Sequence, residues 1–326
     1  MKELRITRAR KVFSDGKHNA FTSVADFGGK RCLAFRSGSL HKSYDGEIVI
    51  LHSNGDGWKI AARLRQPKYD LRDPKLIVFK NSLWLYCFAR NSSEKYKFCL
   101  YNSENGKDFT RIKETNGIPS QYILWGFKAH QGELFATGYR ERDRYFYVSL
   151  FKSCDGVNWR KIFDFPEPGT ETPIDFDEDG SMWALSRDDN FVNNIPTLYR
   201  LSPPYTEICE KSRLPVRIHG PMLKRLNGGS VIIARRWDTP GRHNLRSDVF
   251  ILEDGKDIRF VCTLPSGGDN SYASWLDLES GKAIVAYYSS HEHKMDKAFD
   301  EKNENSTVEH STPADIYVAD VSYRFS

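Results

Sequence analysis

The chain has 326 residues, 39% hydrophobic and 13% aromatic, which supplies a sizeable core and excludes a disordered or fibrous protein. Its 48 Lys and Arg against 43 Asp and Glu leave a formal net charge of +5 with no long block of one sign, so no nucleic-acid partner is expected. The charged stretch from Met1 to Lys17 lacks the apolar run of an export signal, and no segment approaches the roughly 18 apolar residues of a membrane span. A soluble, cytoplasmic monomer without a membrane partner is therefore expected. Six cysteines (Cys32, Cys87, Cys99, Cys154, Cys209, Cys262) lie scattered without a Cys-x-x-Cys pair, and read as reduced thiols. No residue spacing suggests a metal site, and no cofactor is expected.

After a strand-like opening, Arg5 to Phe13, one plan repeats along the chain. A hairpin with a Gly or Asn/Asp turn comes first: 21–35 around Gly28-Gly29, 76–88 around Asn81, 124–137 around Gly132, 174–185 around Asp179-Gly180, and 222–234 around Gly228-Gly229. Each is followed by a short β-rich run (48–51, 98–101, 147–151, 197–201, 249–252), a polar turn and another β-rich run, which makes a second hairpin. The turns Ser53 to Trp58, Ser103 to Phe109 and Ser153 to Trp159 stand about fifty residues apart, with Ser202 and Leu252 continuing the interval. Four strands per repeat predict a propeller blade.

The sixth unit has 273–288 around Gly281, then 315–323, and lacks a fourth strand, which the opening segment can supply. That closure removes an exposed sheet edge. The predicted fold is all-β: a six-bladed β-propeller of four-stranded blades, its ring closed by the N-terminal strand, in one domain over 1–326. A polar insertion at about 293–313 reads as a solvated loop. No helical-period stretch of useful length supports an α/β alternative.

The turn Ser-Cys-Asp-Gly-Val-Asn-Trp159 resembles the Asp-box of sialidase-like propellers, and the turns at Ser53 and Ser103 are variants of it. Gly-Gly-Asp-Asn-Ser-Tyr272, Tyr-Tyr-Ser-Ser-His-Glu292 and Ala-Asp-Ile-Tyr-Val-Ala319 in the last unit are similar to sialidase-like glycosidases. So are Ala-Phe-Arg36 with His41, and Asp-Leu-Arg-Asp-Pro-Lys75. The resemblance spans nearly the whole chain. It implies an exo-glycosidase acting on a terminal sugar, neutral or acidic, of an oligosaccharide or glycoside.

In a propeller, the starts of the innermost strands and the ends of the second strands meet at one channel mouth. The starts give Asn19 near His18, Asp73, Trp125, Glu171, His219 and Tyr272; the ends give Arg36, Arg90, Arg140, Arg187, Arg235 with Arg236, and 289–292. Sialidases use a tyrosine nucleophile activated by a glutamate, because a neutral phenol is not repelled by an anionic sugar. By resemblance Tyr272 is that nucleophile and Glu171 its base. Arg187 and Arg242 resemble the second and third carboxylate-gripping arginines.

Two departures accompany the match. Where sialidases place their first arginine this chain has His18-Asn19-Ala20-Phe21, leaving Arg36 to reach in from the next strand. The loop 37–46 offers only His41 and Asp45 as acids, and Asp45-Gly46 reads as a turn. His41, with His291 and Glu292 from the sixth unit across the closure, is the candidate proton donor or ligand contact. Asp73 is expected to bond a sugar hydroxyl or cap its proline turn. Trp125 and Tyr139 can stack on a sugar ring or pack between blades. A non-catalytic carbohydrate-binding propeller is the alternative function, since a missing arginine and acid also mark lost activity.

Overall fold

A computed structural model of the protein describes every residue except 1, 56, 94–95, 190–194, 237–244, 254, 294–312 and 326. The described residues form twenty-four strands in six four-stranded antiparallel sheets. The first strands of the sheets are His18–Phe27, Asp70–Phe79, Ile123–His130, Ile174–Phe176, Ile218–Leu226 and Asn270–Glu279. Each packs against the first strands of both neighbours, which makes a closed ring around a central channel: a six-bladed β-propeller.

The blades stick to one another through their faces. Strands such as Glu47–Ser53 and Lys282–Ser289 are buried on both sides, so they run apolar without alternation. Six clusters of buried side chains result, one at each blade interface. Leu33, Val49, Tyr288 and Val318 join blades six and one, and Val231, Val249, Val285 and Ala319 join blades five and six. Outer strands such as Lys59–Leu64 are half-exposed and carry the charge.

The ring closes as the sequence predicts. Glu3–Phe13 pairs antiparallel with Asp315–Arg324, with Ala9 opposite Ala319, and completes blade six as its outermost strand. The backbone of Asn19 donates to Ala314 at 3.0 Å, tying blade one to the same seam. At the outer turns, Oδ1 of Asp155 accepts from the amides of Val157 and Asn158, while Trp159 is buried. Asn105 accepts from Lys107 and Asp108 in the same way. These turns fix hairpins far from the channel mouth.

Candidate active site

The innermost strands share an irregularity at one height. Pairing slips by a residue between Ala20 and Ser23, Arg72 and Lys75, Leu124 and Phe127, His219 and Met222, and Ser271 and Ser274. In blade four the Thr170–Arg187 bridge and the Ile174–Ala184 pair enclose the same excess of one. Such a bulge bends the strand and re-aims a side chain. The residues so placed are Phe21, Asp73, Trp125, Glu171, Gly220 and Tyr272. Blades two, four and six thus present three ionisable groups, and blades one, three and five present two aromatics and a glycine. Phe21, Asp73 and Tyr272 hold φ of 63°, 49° and 48°, left-handed values that side chains avoid and that concentrate at functional sites.

All of these except Gly220 line one cavity of about 200 Å³, together with His41, Arg72, Arg90 and Tyr139. A wider hollow of about 360 Å³ lies one strand-step further along the channel, with Lys75 and Trp125 on its wall. Trp125 borders both, and the Lys75 ammonium sits 4.3 Å from its ring centroid.

At the smaller cavity the Tyr272 hydroxyl donates to Oε1 of Glu171 at 2.8 Å, inside the reach expected for a nucleophile and its base. Arg187 holds the other oxygen, Oε2, at 2.5 Å and Asp189 at 2.9 Å. The carboxylate is thereby divided between a fixed cation and the phenol. Burial, with Glu171 alongside, raises the Tyr272 pKa well above that of a free phenol, although Arg187 and Arg235 pull the other way. The tyrosine is a neutral donor at ordinary pH. Its ring is gripped by Tyr288, stacked at 6.2 Å, and by Phe21 and Trp125 edge-on at 5.2 and 5.4 Å.

Asp73 is 6% exposed, its Oδ1 is buried without a hydrogen-bond partner, and its nearest ion-pair contact is Arg72 Nε at 3.9 Å. Burial pushes its pKa up to about 6, against the pull of Arg72 and Lys75.

Asp269 anchors the other side. It accepts from His18 Nε2 at 2.8 Å, His41 Nδ1 at 2.5 Å and Tyr288 at 2.9 Å, with Arg235 at 3.5 Å. Burial alone would raise its pKa, but the histidines and these hydrogen bonds hold it well below the carboxylate range. Burial pushes His41 down to about 3 in spite of Asp269. His41 is therefore a neutral imidazole carrying its proton on Nδ1, the nitrogen that faces the carboxylate. His18, His41 and Asp269 offer ligand atoms within 4.8 Å of one another, a spacing that suits a metal ion. Here both imidazole nitrogens meet the same carboxylate oxygen at hydrogen-bond distance, and Arg235 adds positive charge beside it.

The structure brings Tyr272, Glu171, Asp73, Trp125 and His41 to one cavity, with Arg187 behind Glu171. It corrects the expectations for Arg36, His291 and Glu292. Arg36 does not reach the cavity: it is fully buried, and Asp70 Oδ1, Leu40 O and Ser43 Oγ take its donors at 2.6, 2.9 and 2.8 Å. Asp70, at the start of the next blade, is the stronger partner, and the pair pins the loop that carries His41. His291 bonds Ser289 Oγ and packs on Tyr317 of the strand Asp315–Arg324, while Glu292 pairs with Lys11 of the closing strand at 2.8 Å, so both dock on blade six instead of the cavity. Asp45 accepts from Ser39 as a loop residue. Arg242 and most of the 293–313 insertion lie outside the described residues. Sequence reasoning missed Asp269, Arg72 and Tyr288, although each falls inside or beside a quoted motif. The signal for Asp269 was a buried-type acid after Gly267-Gly268, three residues before Tyr272.

No protein-family model and no curated protein matches the chain. Solved structures do. An endosialidase of phage phi92 superposes with a TM-score of 0.76 at 9% identity, over 98% of this chain and 69% of its own. Trypanosoma rangeli sialidase in complex with sialic acid gives 0.64 at 14%, over 94% and 54%, so the chain spans about half of that enzyme. Penicillium chrysogenum α-L-arabinanase complexed with arabinobiose gives 0.69 at 14%, over 96% and 98%. The architecture is the six-bladed propeller that these solved structures share. At these identities the likeness is one of fold.

Proposed function

We propose that the protein is a glycoside hydrolase that releases a terminal sugar by a sialidase-like route, with Tyr272 as nucleophile and Glu171 as its base. The 2.8 Å bond between them, from blades two apart, carries the reading. A buried phenol is a weak nucleophile until a base takes its proton, and Glu171 is held for that task because Arg187 occupies its second oxygen. Trp125 and Tyr139 offer apolar faces to a sugar ring, and a cavity of about 200 Å³ suits one ring better than a chain. The solved neighbours are glycosidases, two of them holding sugars, which supports a carbohydrate ligand. His41, neutral through burial, serves as a hydrogen-bond partner and not as the proton donor.

One observation favours the second reading, a propeller that binds sugar without cleaving it: Phe21 occupies the blade-one bulge, and Arg36 is locked to Asp70. A panel of aryl glycosides and natural oligosaccharides, sialosides included, separates the two. Release of a sugar by the wild-type protein, abolished in Tyr272→Phe, supports hydrolysis. Glycan-array binding without release supports the alternative.

A further inference from the structure

Blade two holds a pair of thiols that the hydrolase reading leaves unused. Where Ser82–Arg90 pairs with Tyr96–Ser103, Cys87 stands directly opposite Cys99. Opposed residues of antiparallel strands have Cα atoms about 4.5–5.5 Å apart, inside the roughly 4.4–6.8 Å that a disulfide bridges. Both side chains enter the packing between blades one and two, beside Tyr101, and are 4% and 2% exposed. The cover over Cys99 is thin. Its Sγ donates to Oε1 of the half-buried Gln66 at 3.5 Å, and the exposed Arg111 stands one strand further out, opposite Tyr101. We infer that Cys87 and Cys99 form a redox pair, in which Cys99 reacts with a peroxide and Cys87 resolves the product to a reversible disulfide.

The surroundings make the two thiols unequal. A hydrogen bond from Cys87 holds the Cys99 thiol below the ordinary thiol range in spite of burial, and the Arg111 cation adds to the pull. Giving that bond, together with burial, pushes Cys87 well up. Cys99 therefore ionises first and is the nucleophile, while Cys87 keeps its proton for the second step. The Cys99 sulfur attacks one peroxide oxygen; the O–O bond breaks, and the other oxygen leaves with its electron pair and takes up the proton that Cys99 gave, as water. The Cys87 sulfur then attacks the sulfenic sulfur, the S–O bond breaks, and that oxygen leaves as a second water with the Cys87 proton. Two thiols are oxidised and one peroxide is reduced. Phe88 and Arg90 follow Cys87 on the same strand and line the cavity, so the new bond ties down the blade-two wall of the site.

The test needs no substrate, so it stands apart from the hydrolase reading. The full-length protein, folded and reduced, is treated with stoichiometric hydrogen peroxide; free thiols are blocked with iodoacetamide, and the chain is digested without reductant. Trypsin separates the cysteines by cutting after Arg90, Lys95 and Lys97. The expected product is one linked species joining the Cys87 and Cys99 peptides, lost on treatment with dithiothreitol. A link that forms only after urea unfolding, or peroxide products confined to the exposed Cys154 and Cys209, overturns the pair. The order of the steps is read in single variants with dimedone, which captures sulfenic acid. Cys87→Ser should trap the label on Cys99 at least about tenfold more than Cys99→Ser traps it on Cys87. Equal labelling, or label on Cys87 alone, overturns Cys99 as the reacting thiol. The link in wild type decides the pairing even where a serine variant folds poorly.

Discussion

Gly220 and Tyr272 stand at equivalent bulges of neighbouring blades, and Gly220 leaves room for the tyrosine: a Cβ there would lie 3.2 Å from Tyr272 Cε1 and 2.4 Å from Ser271 Oγ. Gly220 also holds φ of 54°, which a glycine adopts without strain. Gly220→Ala is expected to cost on the order of 1 kcal/mol or more in stability and, by displacing the phenol, about 10²-fold in kcat/KM. Steady-state kinetics with a denaturation curve checks this. Unchanged activity would mean that the tyrosine position does not matter.

Tyr272 and Glu171 act as one unit, so their losses should not multiply. Glu171→Gln should lower kcat by about 10²–10⁴-fold and Tyr272→Phe by at least as much, while the double variant is no worse than the poorer single one. Multiplicative losses in the double variant would show two independent contributions.

Asp73 makes stability depend on pH with a definite sign. Burial lifts its folded pKa from 3.8 to about 6. Between those values the folded chain binds the proton and the unfolded chain has lost it. Stability is therefore intact below pH 4, declines as pH rises to about 6, and is flat beyond, with a total loss on the order of 3 kcal/mol. Asp73→Asn carries no charge, so it should match wild type at pH 4 and exceed it by up to that amount at pH 7. Urea unfolding of both proteins from pH 4 to 7 measures the difference, and a pH-independent difference contradicts it.

Arg36 belongs to the scaffold. It and Asp70 are both fully buried, 2.6 Å apart, and Arg36→Ala would strand a carboxylate that Arg72 alone must hold. The expected cost is about 3–5 kcal/mol. Thermal unfolding reads it out. Unchanged stability with weakened sugar binding would return Arg36 to the cavity.

The blade plan was legible because it is local: turns such as Ser153 to Trp159 recur at a fixed interval, and each encloses strands of period two or continuous apolarity. Tyr272 and Glu171 were legible through motifs around equivalent strand starts. The side chains' partners were not. Arg36 and Arg187 look alike as arginines ending second strands, yet one is claimed by Asp70 of the next blade and the other by Glu171 of its own. His291 was placed by its neighbourhood in the ring, but its loop follows Tyr317 and the closing strand instead of the channel. The bulges that turn Asp73 and Tyr272 inward are a property of pairing register, which composition and alternation do not encode at single-residue resolution.

The most direct test of Tyr272 as nucleophile is to trap it. The wild-type protein is incubated with a fluorine-substituted, activated analogue of the sugar it releases, which forms the covalent intermediate faster than water can clear it, and the adduct is mapped by mass spectrometry of peptides. A glycosyl group on the peptide containing Tyr272, absent from Tyr272→Phe and slowed in Glu171→Gln, is the predicted result. Sugar release without any adduct at Tyr272, or an adduct on Glu171 or Asp73 instead, would contradict it.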